Sequence, residues 1–354
     1  MDAALLESLR DVLLVQCDVP EARAAFELID RPGTGVVVTT RDRRAVRAYA
    51  DVAKGRPFLV DAARYAGKRR VPAAEPFDRS WLAVQREAGL PVLTDSGYVA
   101  MGDGHGLATV LDAAAGLGDV VAVLPLHTWW LAPDGGLHHL VERVRAAGVP
   151  IAVVLEHRGD PLGVQRTLRG LLALLGAGVP VIQLRCDVSA LGLLCHGALA
   201  AAVGTRSGLR HLYPIGSSGF GGAPAVSTLV RDCLAYVDIQ RIAVAVQSDP
   251  ESSLWRECPC PGCKGEPLDR LARLSSRDEQ GRAAFVHALV TLFDLRAGLL
   301  QDPDPVVRQA SWRGHCDHAL TRYLEMEDVA LGWNRPDALR YWFEVEVPTR
   351  AVSP

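Results

Sequence analysis

Eight short β-prone runs separated by helical intervals constrain this chain more than any other feature of its sequence. They fall at residues 35–39, 57–61, 91–95, 120–125, 151–156, 181–185, 211–215 and 236–239. Each is nearly continuously hydrophobic, the pattern of strands buried on both faces of a parallel sheet. The intervals, such as 137–147 and 162–175, are rich in Ala, Leu and Arg. Their turns repeat one phrase, Gly148-Val149-Pro150 and Gly178-Val179-Pro180. Repeated strand-then-helix units predict an α/β fold of the (β/α)8 TIM-barrel type. A doubly wound open sheet is the alternative reading of the same rhythm.

Around that rhythm the expected organisation has four parts. Residues 1–33 form an N-terminal helical segment, because Leu5, Leu6, Leu9, Val12 and Leu13 recur at helical spacing before Pro32-Gly33. The barrel occupies 34–250, and a zinc-binding subdomain over 251–300 completes it. A helical, aromatic-rich tail over 301–354 carries Trp312, Tyr323, Trp333, Tyr341, Trp342 and Phe343. With 354 residues, 49% of them hydrophobic, the chain has enough apolar surface for a large core.

Three soft donors crowd into residues 257–264, where Cys258, Cys260 and Cys263 are separated only by Pro259, Pro261 and Gly262. His287 follows on a helix expected over 278–296, whose apolar face includes Ala283, Val286, Leu289, Val290 and Phe293. Three Cys and one His fill a tetrahedral shell with no open position, which is the arrangement of structural zinc. The competing reading is a loop of ordinary reduced cysteines. A disulfide framework fits less well, because Cys17, Cys186, Cys195, Cys233 and Cys316 are scattered through apolar segments.

A formal net charge of -3 excludes a globally basic nucleic-acid coat and leaves room for a local patch. Lys68, Arg69 and Arg70, with Arg64 just before them, are the candidates for phosphate contacts; a solvated loop is the plainer reading. The N-terminus lacks a basic region followed by an apolar run, and no apolar stretch reaches membrane-spanning length uninterrupted. A cytoplasmic protein without membrane contact is therefore expected.

In a barrel, functional groups collect where strands end. Those ends read Thr39, Asp61, Asp95, His127, Glu156, Arg185 and Asp238. Asp and Thr also cap helices for purely structural reasons, and Thr39 and Asp61 are the first candidates for that role.

Thr94-Asp95-Ser96-Gly97-Tyr98 resembles the Thr-Asp-Ser-Gly signature of tRNA-guanine transglycosylases, and the Cys-X-Cys-X-X-Cys turn with its helical His resembles their zinc site. The resemblance extends through Pro125-Leu126-His127, spans about 90–295 and is closest to the archaeal branch. It implies a purine-like base exchanged on a polynucleotide through a covalent aspartyl-ribose intermediate, with a second carboxylate managing protons. By motif position it implies Asp95 as general acid/base and Asp238 as nucleophile, with Asp232 a nearby competitor. Ser96, His127, Glu156 and Arg185 take the substrate-binding positions.

The base pocket departs from that pattern. His127 stands where the family has Asp, Leu155-Glu156-His157 where it has Gln and Gly, and Arg185-Cys186 where it has a Gly-Gly pair. Imidazole in place of a carboxylate reverses donor preference, and side chains on a glycine floor remove space. Two readings follow: a base-exchange enzyme of altered specificity acting on tRNA, DNA or a nucleoside, or a catalytically inactive zinc-containing barrel serving as a nucleic-acid-binding or partner subunit. An unrelated barrel hydrolase pairing Asp95 with Glu156 is the third. A homodimer is carried as an option for the assembly.

Overall fold

The computed structural model describes residues 3–217, 225–252, 257–330 and 332–347. The chain divides into two compact units, Met1–Ser217 and Ser218–Pro354. In the first, seven strands follow one another: β1 (Val12–Asp18), β2 (Thr34–Thr39), β3 (Phe58–Asp61), β4 (Ala122–His127), β5 (Ile151–Glu156), β6 (Val181–Cys186) and β7 (Ala200–Gly204). Helices α1 (Ala3–Glu7), α2 (Val19–Leu28), α3 (Arg43–Ala53), α4 (Arg79–Glu87), α5 (Gly104–Leu117), α6 (Leu137–Ala147), α7 (Gln165–Leu175) and α8 (Ala190–Cys195) alternate with them. Asp42, Asp78 and Asp103 cap the starts of α3, α4 and α5 by accepting backbone N–H groups that a helix end leaves without partners.

All seven strands are parallel and form one curled sheet in the order β3-β2-β1-β7-β6-β5-β4. The β1–β7 ladder joins the first strand to the last, with Val12 opposite Ala200 and Gln16 opposite Gly204. Leu93 extends the β4 edge through a single parallel bridge to Val121. The expected α/β architecture is therefore formed as a seven-stranded sheet, and among the described residues no ladder joins β3 to the 91–95 run. Val12, Leu14, Val37, Leu59, Leu93, Val123, Val154, Leu184 and Ala202 meet in one buried cluster, so every strand sends side chains to the same interior.

Two sequence expectations fail at the ends of this sheet. The N-terminal segment is not helical throughout: Ala3–Glu7 and Val19–Leu28 are helices, but Asp11, with φ 59°, turns the chain into strand β1 between them. Val12, Leu13, Leu14, Val15, Gln16 and Cys17 are all buried, and a run apolar on both faces suits a central strand better than an amphipathic helix. At the other end, residues 211–215 supply only an isolated bridge from Leu212 to Glu156. The seventh strand is Ala200–Gly204, whose alanines carry little β-propensity and pair because their neighbours dictate it.

The second unit holds a two-stranded antiparallel hairpin, β8 (Ser227–Val230) with β9 (Ala235–Asp238), followed by α9 (Ile239–Ser248), α10 (Arg270–Arg273), α11 (Arg277–Leu299), α12 (Pro305–Glu325) and α13 (Asp337–Phe343). The 236–239 run thus belongs to a hairpin and not to the parallel sheet. Val230, Val237, Ile242, Leu271, Ala284 and Val290 pack with Cys260 and Cys263 in the core of this unit. No described helix is long and apolar enough to cross a membrane.

Candidate functional site

Side chains alternate along a strand, so continuing the alternation of the interior residues toward the C-terminal strand ends brings polar groups onto the same interior face. Gln16 on β1, Thr39 on β2, Asp61 on β3, His127 on β4 and Glu156 on β5 occupy those places. Asp95 follows Leu93, and Arg185 stands on β6 with φ 49°, where the β6–β7 register shifts between Gln183 and Cys186. The sheet therefore carries an apolar interior beneath a layer of ionisable groups.

One half of that layer is closed on itself. Asp61 accepts from the Ala63 backbone N–H at 2.8 Å, from Gln16 Nε2 at 2.9 Å and from Tyr65 Oη at 2.6 Å. Gln16 also donates to Thr39 at 3.1 Å and accepts from the Arg185 backbone N–H at 2.8 Å. The Arg185 guanidinium lies over the Tyr65 ring at 5.1 Å, its Nε 3.6 Å from Asp61. Gln16, Asp61, Tyr65 and Arg185 are all buried, and burial holds the Tyr65 phenol well above its ordinary range. This half braces four strands; Asp61 and Thr39 belong to this network, and the helix-capping role expected for them falls to Asp78 and Asp42.

The other half carries the carboxylates singled out by sequence, each with an arginine. Asp95, 3% exposed, accepts from Arg64 Nη1 at 2.6 Å and from the Asp78 backbone N–H at 3.0 Å. Glu156 accepts from Tyr98 Oη at 2.6 Å through one oxygen and pairs with Arg70 through the other. Arg70 also stacks 3.5 Å from the centre of the Tyr98 ring. Burial first, and Glu156 next, raise the Tyr98 phenol above its ordinary range. Arg64 and Arg70 come from one loop after β3 and turn inward, while Lys68 and Arg69 between them are exposed. Only the middle of the basic run thus matches the expected solvated patch.

Gly97 explains how that loop is held. Tyr98 N donates to Val71 O at 2.7 Å, and Ala73 N donates to Tyr98 O at 3.0 Å. A Cβ at position 97 would lie 2.1 Å from Pro72 O. Only glycine allows the loop to lie this close, and the close approach carries both arginines over the strand ends. Ser96 is buried, and its hydroxyl shares a 2.8 Å hydrogen bond with Thr94. His127 accepts the Trp129 backbone N–H at Nδ1, 3.0 Å away. Desolvation lowers its pKa, Glu156 opposes that, and Arg70 and His157 add to it.

Gln16 and Tyr65 were not anticipated in this layer, and Arg64 and Arg70, expected to contact phosphate, pair with its carboxylates instead. Gln16, a lone amide inside an apolar run, was the one legible signal. Asp238 belongs to the second unit, where its Oδ1 accepts the Gln240 backbone N–H at 2.7 Å and caps α9. Asp232, its competitor, stands 3.8 Å from His318 Nε2.

The second unit also holds a site with defined chemistry. The ligand atoms of Cys258, Cys260, Cys263 and His287 lie within 4.8 Å of one another, and the four residues can hold a metal ion. The three sulfurs are 3.4, 3.5 and 3.3 Å from His287 Nδ1. A tetrahedral zinc ion with ordinary Zn–S and Zn–N bonds separates sulfur and nitrogen by about 3.5 Å. His287 Nε2 donates to the Leu229 carbonyl on β8 at 3.0 Å, which fixes the tautomer and leaves Nδ1 as the ligand atom. The cysteine turn lies against α11: a Cβ on Gly262 would meet Ala283 O at 2.5 Å. Cys263 N donates to Cys260 Sγ at 3.3 Å, as expected around thiolate ligands.

No family model matches this chain, and no curated protein does.

Proposed function

We propose that the first unit is a closed (β/α)8 barrel whose C-terminal strand ends form the site of a base-exchange enzyme resembling tRNA-guanine transglycosylases, acting on a nucleic acid or nucleoside. The observation that carries this reading is the polar layer itself. Asp95 and Glu156, with Arg64, Arg70 and His127 around them, stand at strand ends above an interior supplied by every strand. Functional groups of barrel enzymes occupy this position. In the proposed roles Asp95 manages protons and Ser96, His127, Glu156 and Arg185 surround the base. Asp238, a residue of the second unit, is proposed as nucleophile on the family resemblance alone.

Zinc, held by Cys258, Cys260, Cys263 and His287, is structural in this reading. Its shell is filled by protein ligands, and it supplies folding free energy to the turn that packs on α11. In the chemistry the chain's own groups act alone: Arg64 and the Asp78 N–H orient the Asp95 carboxylate, and displacement of Arg64 by substrate frees it to take a proton.

One observation favours the second reading, a barrel without activity that binds a nucleic acid or partner. Every carboxylate of the layer has its oxygens occupied by arginine, tyrosine or backbone donors. Trapping decides between them. An oligonucleotide or tRNA incubated with the protein gives a covalent adduct if the chain is an enzyme, and Asp238→Ala abolishes it. An adduct that survives Asp238→Ala removes Asp238 as nucleophile; no adduct with either polymer supports the inactive reading.

A further inference from the structure

A backbone N–H can only donate, so the Trp129 N–H, 3.0 Å from His127 Nδ1, requires a lone pair on that nitrogen. The ring is neutral in this arrangement, and its proton sits on Nε2. Among the described residues Nε2 has no partner, and the ring is only half-buried, at the end of β4. His127 therefore offers the site one outward hydrogen-bond donor and no acceptor. Desolvation lowers the pKa of this ring, Glu156 opposes it, and Arg70 and His157 add to the lowering, in the direction the hydrogen bond requires.

The neighbouring groups have the same polarity. His157 follows Glu156, which is in register with His127, and it acts electrostatically on His127. Its Nδ1 accepts the Gly159 backbone N–H at 3.2 Å, so it too presents Nε2–H. Glu156 would reverse this polarity if it were open, but one oxygen accepts from Tyr98 and the other is paired with Arg70. Arg70 itself has only donors. A guanine-like edge, which presents ring N–H and amino donors, meets donors from His127, His157 and Arg70 and a Glu156 carboxylate already engaged.

We propose that His127 is the specificity-determining residue of this site and that the heterocycle it selects presents hydrogen-bond acceptors to it, an oxopurine of the xanthine type in place of a guanine-like base. The proposal rests on the base-exchange reading above. Guanine and xanthine serve as probes because C2 carries an amino donor in the first and a carbonyl acceptor in the second, with N3 changing from acceptor to N–H donor alongside it. The site groups, the C6 carbonyl and the imidazole ring of the base stay constant between them.

The test is competitive binding of xanthine and guanine to the full chain, at a pH low enough to keep xanthine uncharged, together with 15N NMR of the histidine rings. Wild type binds xanthine at least about tenfold more tightly, the effect of one hydrogen bond made instead of a donor facing a donor. Xanthine moves the His127 Nε2 resonance, and Nδ1 is unprotonated in the free protein. His127→Asp, which replaces the donor by an acceptor, reverses the preference. The NMR arm needs no substitution, so a variant that fails to fold leaves the test intact. Preference of the wild type for guanine, or a proton on Nδ1, overturns the proposal and leaves base exchange standing. Inorganic phosphate moving Nε2 where xanthine does not also overturns it, since the wall would then read an oxyanion. If neither base binds folded, zinc-loaded protein, the base-exchange reading fails, and the proposal fails with it.

Discussion

Removing Arg70 while leaving Glu156 in place isolates the forces that hold the polar layer. Glu156 is 5% exposed, and its two oxygens have two partners, Tyr98 and Arg70. Replacing Arg70 by Met keeps an unbranched side chain of similar reach over the Tyr98 ring and deletes the charge. A buried carboxylate that loses its cation typically costs 3–5 kcal/mol. The Tyr98 hydroxyl still donates to Glu156, and Arg70 is partly exposed, so we place the loss near the lower bound, about 3 kcal/mol. Lost stacking of the guanidinium on Tyr98, 3.5 Å away, is included in that figure. Because the chain has two units, global unfolding is a poor readout, and hydrogen exchange of the β5 amides reports the first unit directly. Arg70→Met lowers their protection by about two orders of magnitude. Adding Glu156→Gln removes the stranded charge and recovers most of it. Protection unchanged by Arg70→Met would refute the claim that Arg70 compensates the buried Glu156 charge; failure of Glu156→Gln to rescue would show that packing, not charge, set the loss.

Three further outcomes follow from the same geometry. Gly97→Ala drives a Cβ to within 2.1 Å of Pro72 O, so the loop lifts from Tyr98 and tryptic cleavage after Lys68 or Arg69 accelerates several-fold without global unfolding. Cys260→Ser removes one of four ligands; metal content falls from about one equivalent per chain, measured by mass spectrometry, and chelation then has no further effect on the melting of the second unit. His211 is buried, and desolvation pushes its pKa down to about 4 from the ordinary 6.5. Its neutral form is the folded form, so its contribution is intact above about pH 6.5 and is lost as pH falls toward 4, by about 3 kcal/mol in all. His211→Gln flattens that acid limb in denaturation curves taken across the same range; an unchanged limb would assign it to other groups.

The alternation of buried runs and helices was legible because parallel strands covered on both faces are continuously apolar. Five of the eight runs, those from 35–39, 57–61, 120–125, 151–156 and 181–185, became strands of the sheet. The outer members were misread for identifiable reasons. β1 begins within an i, i+3, i+4 pattern of leucines that also fits a helix, and β7 is mostly alanine, which declares no preference. The metal cluster was readable because its three cysteines are local and need only one distant residue, His287. The arginine pairs were not. Arg64 and Arg70 reach carboxylates 31 and 86 residues away, and sequence gives no sign of which basic residues in a loop turn inward. The same holds for His127, whose type was visible but whose tautomer depends on the Trp129 N–H.

Radiolabelled base exchange into tRNA and DNA, run side by side with zinc-loaded protein, tests the central claim most directly. The account predicts incorporation of label into one polymer, lost in Asp95→Asn, which keeps the shape of the side chain and removes its capacity to take a proton. Incorporation that survives Asp95→Asn, or no incorporation into either polymer with any purine base, would contradict it.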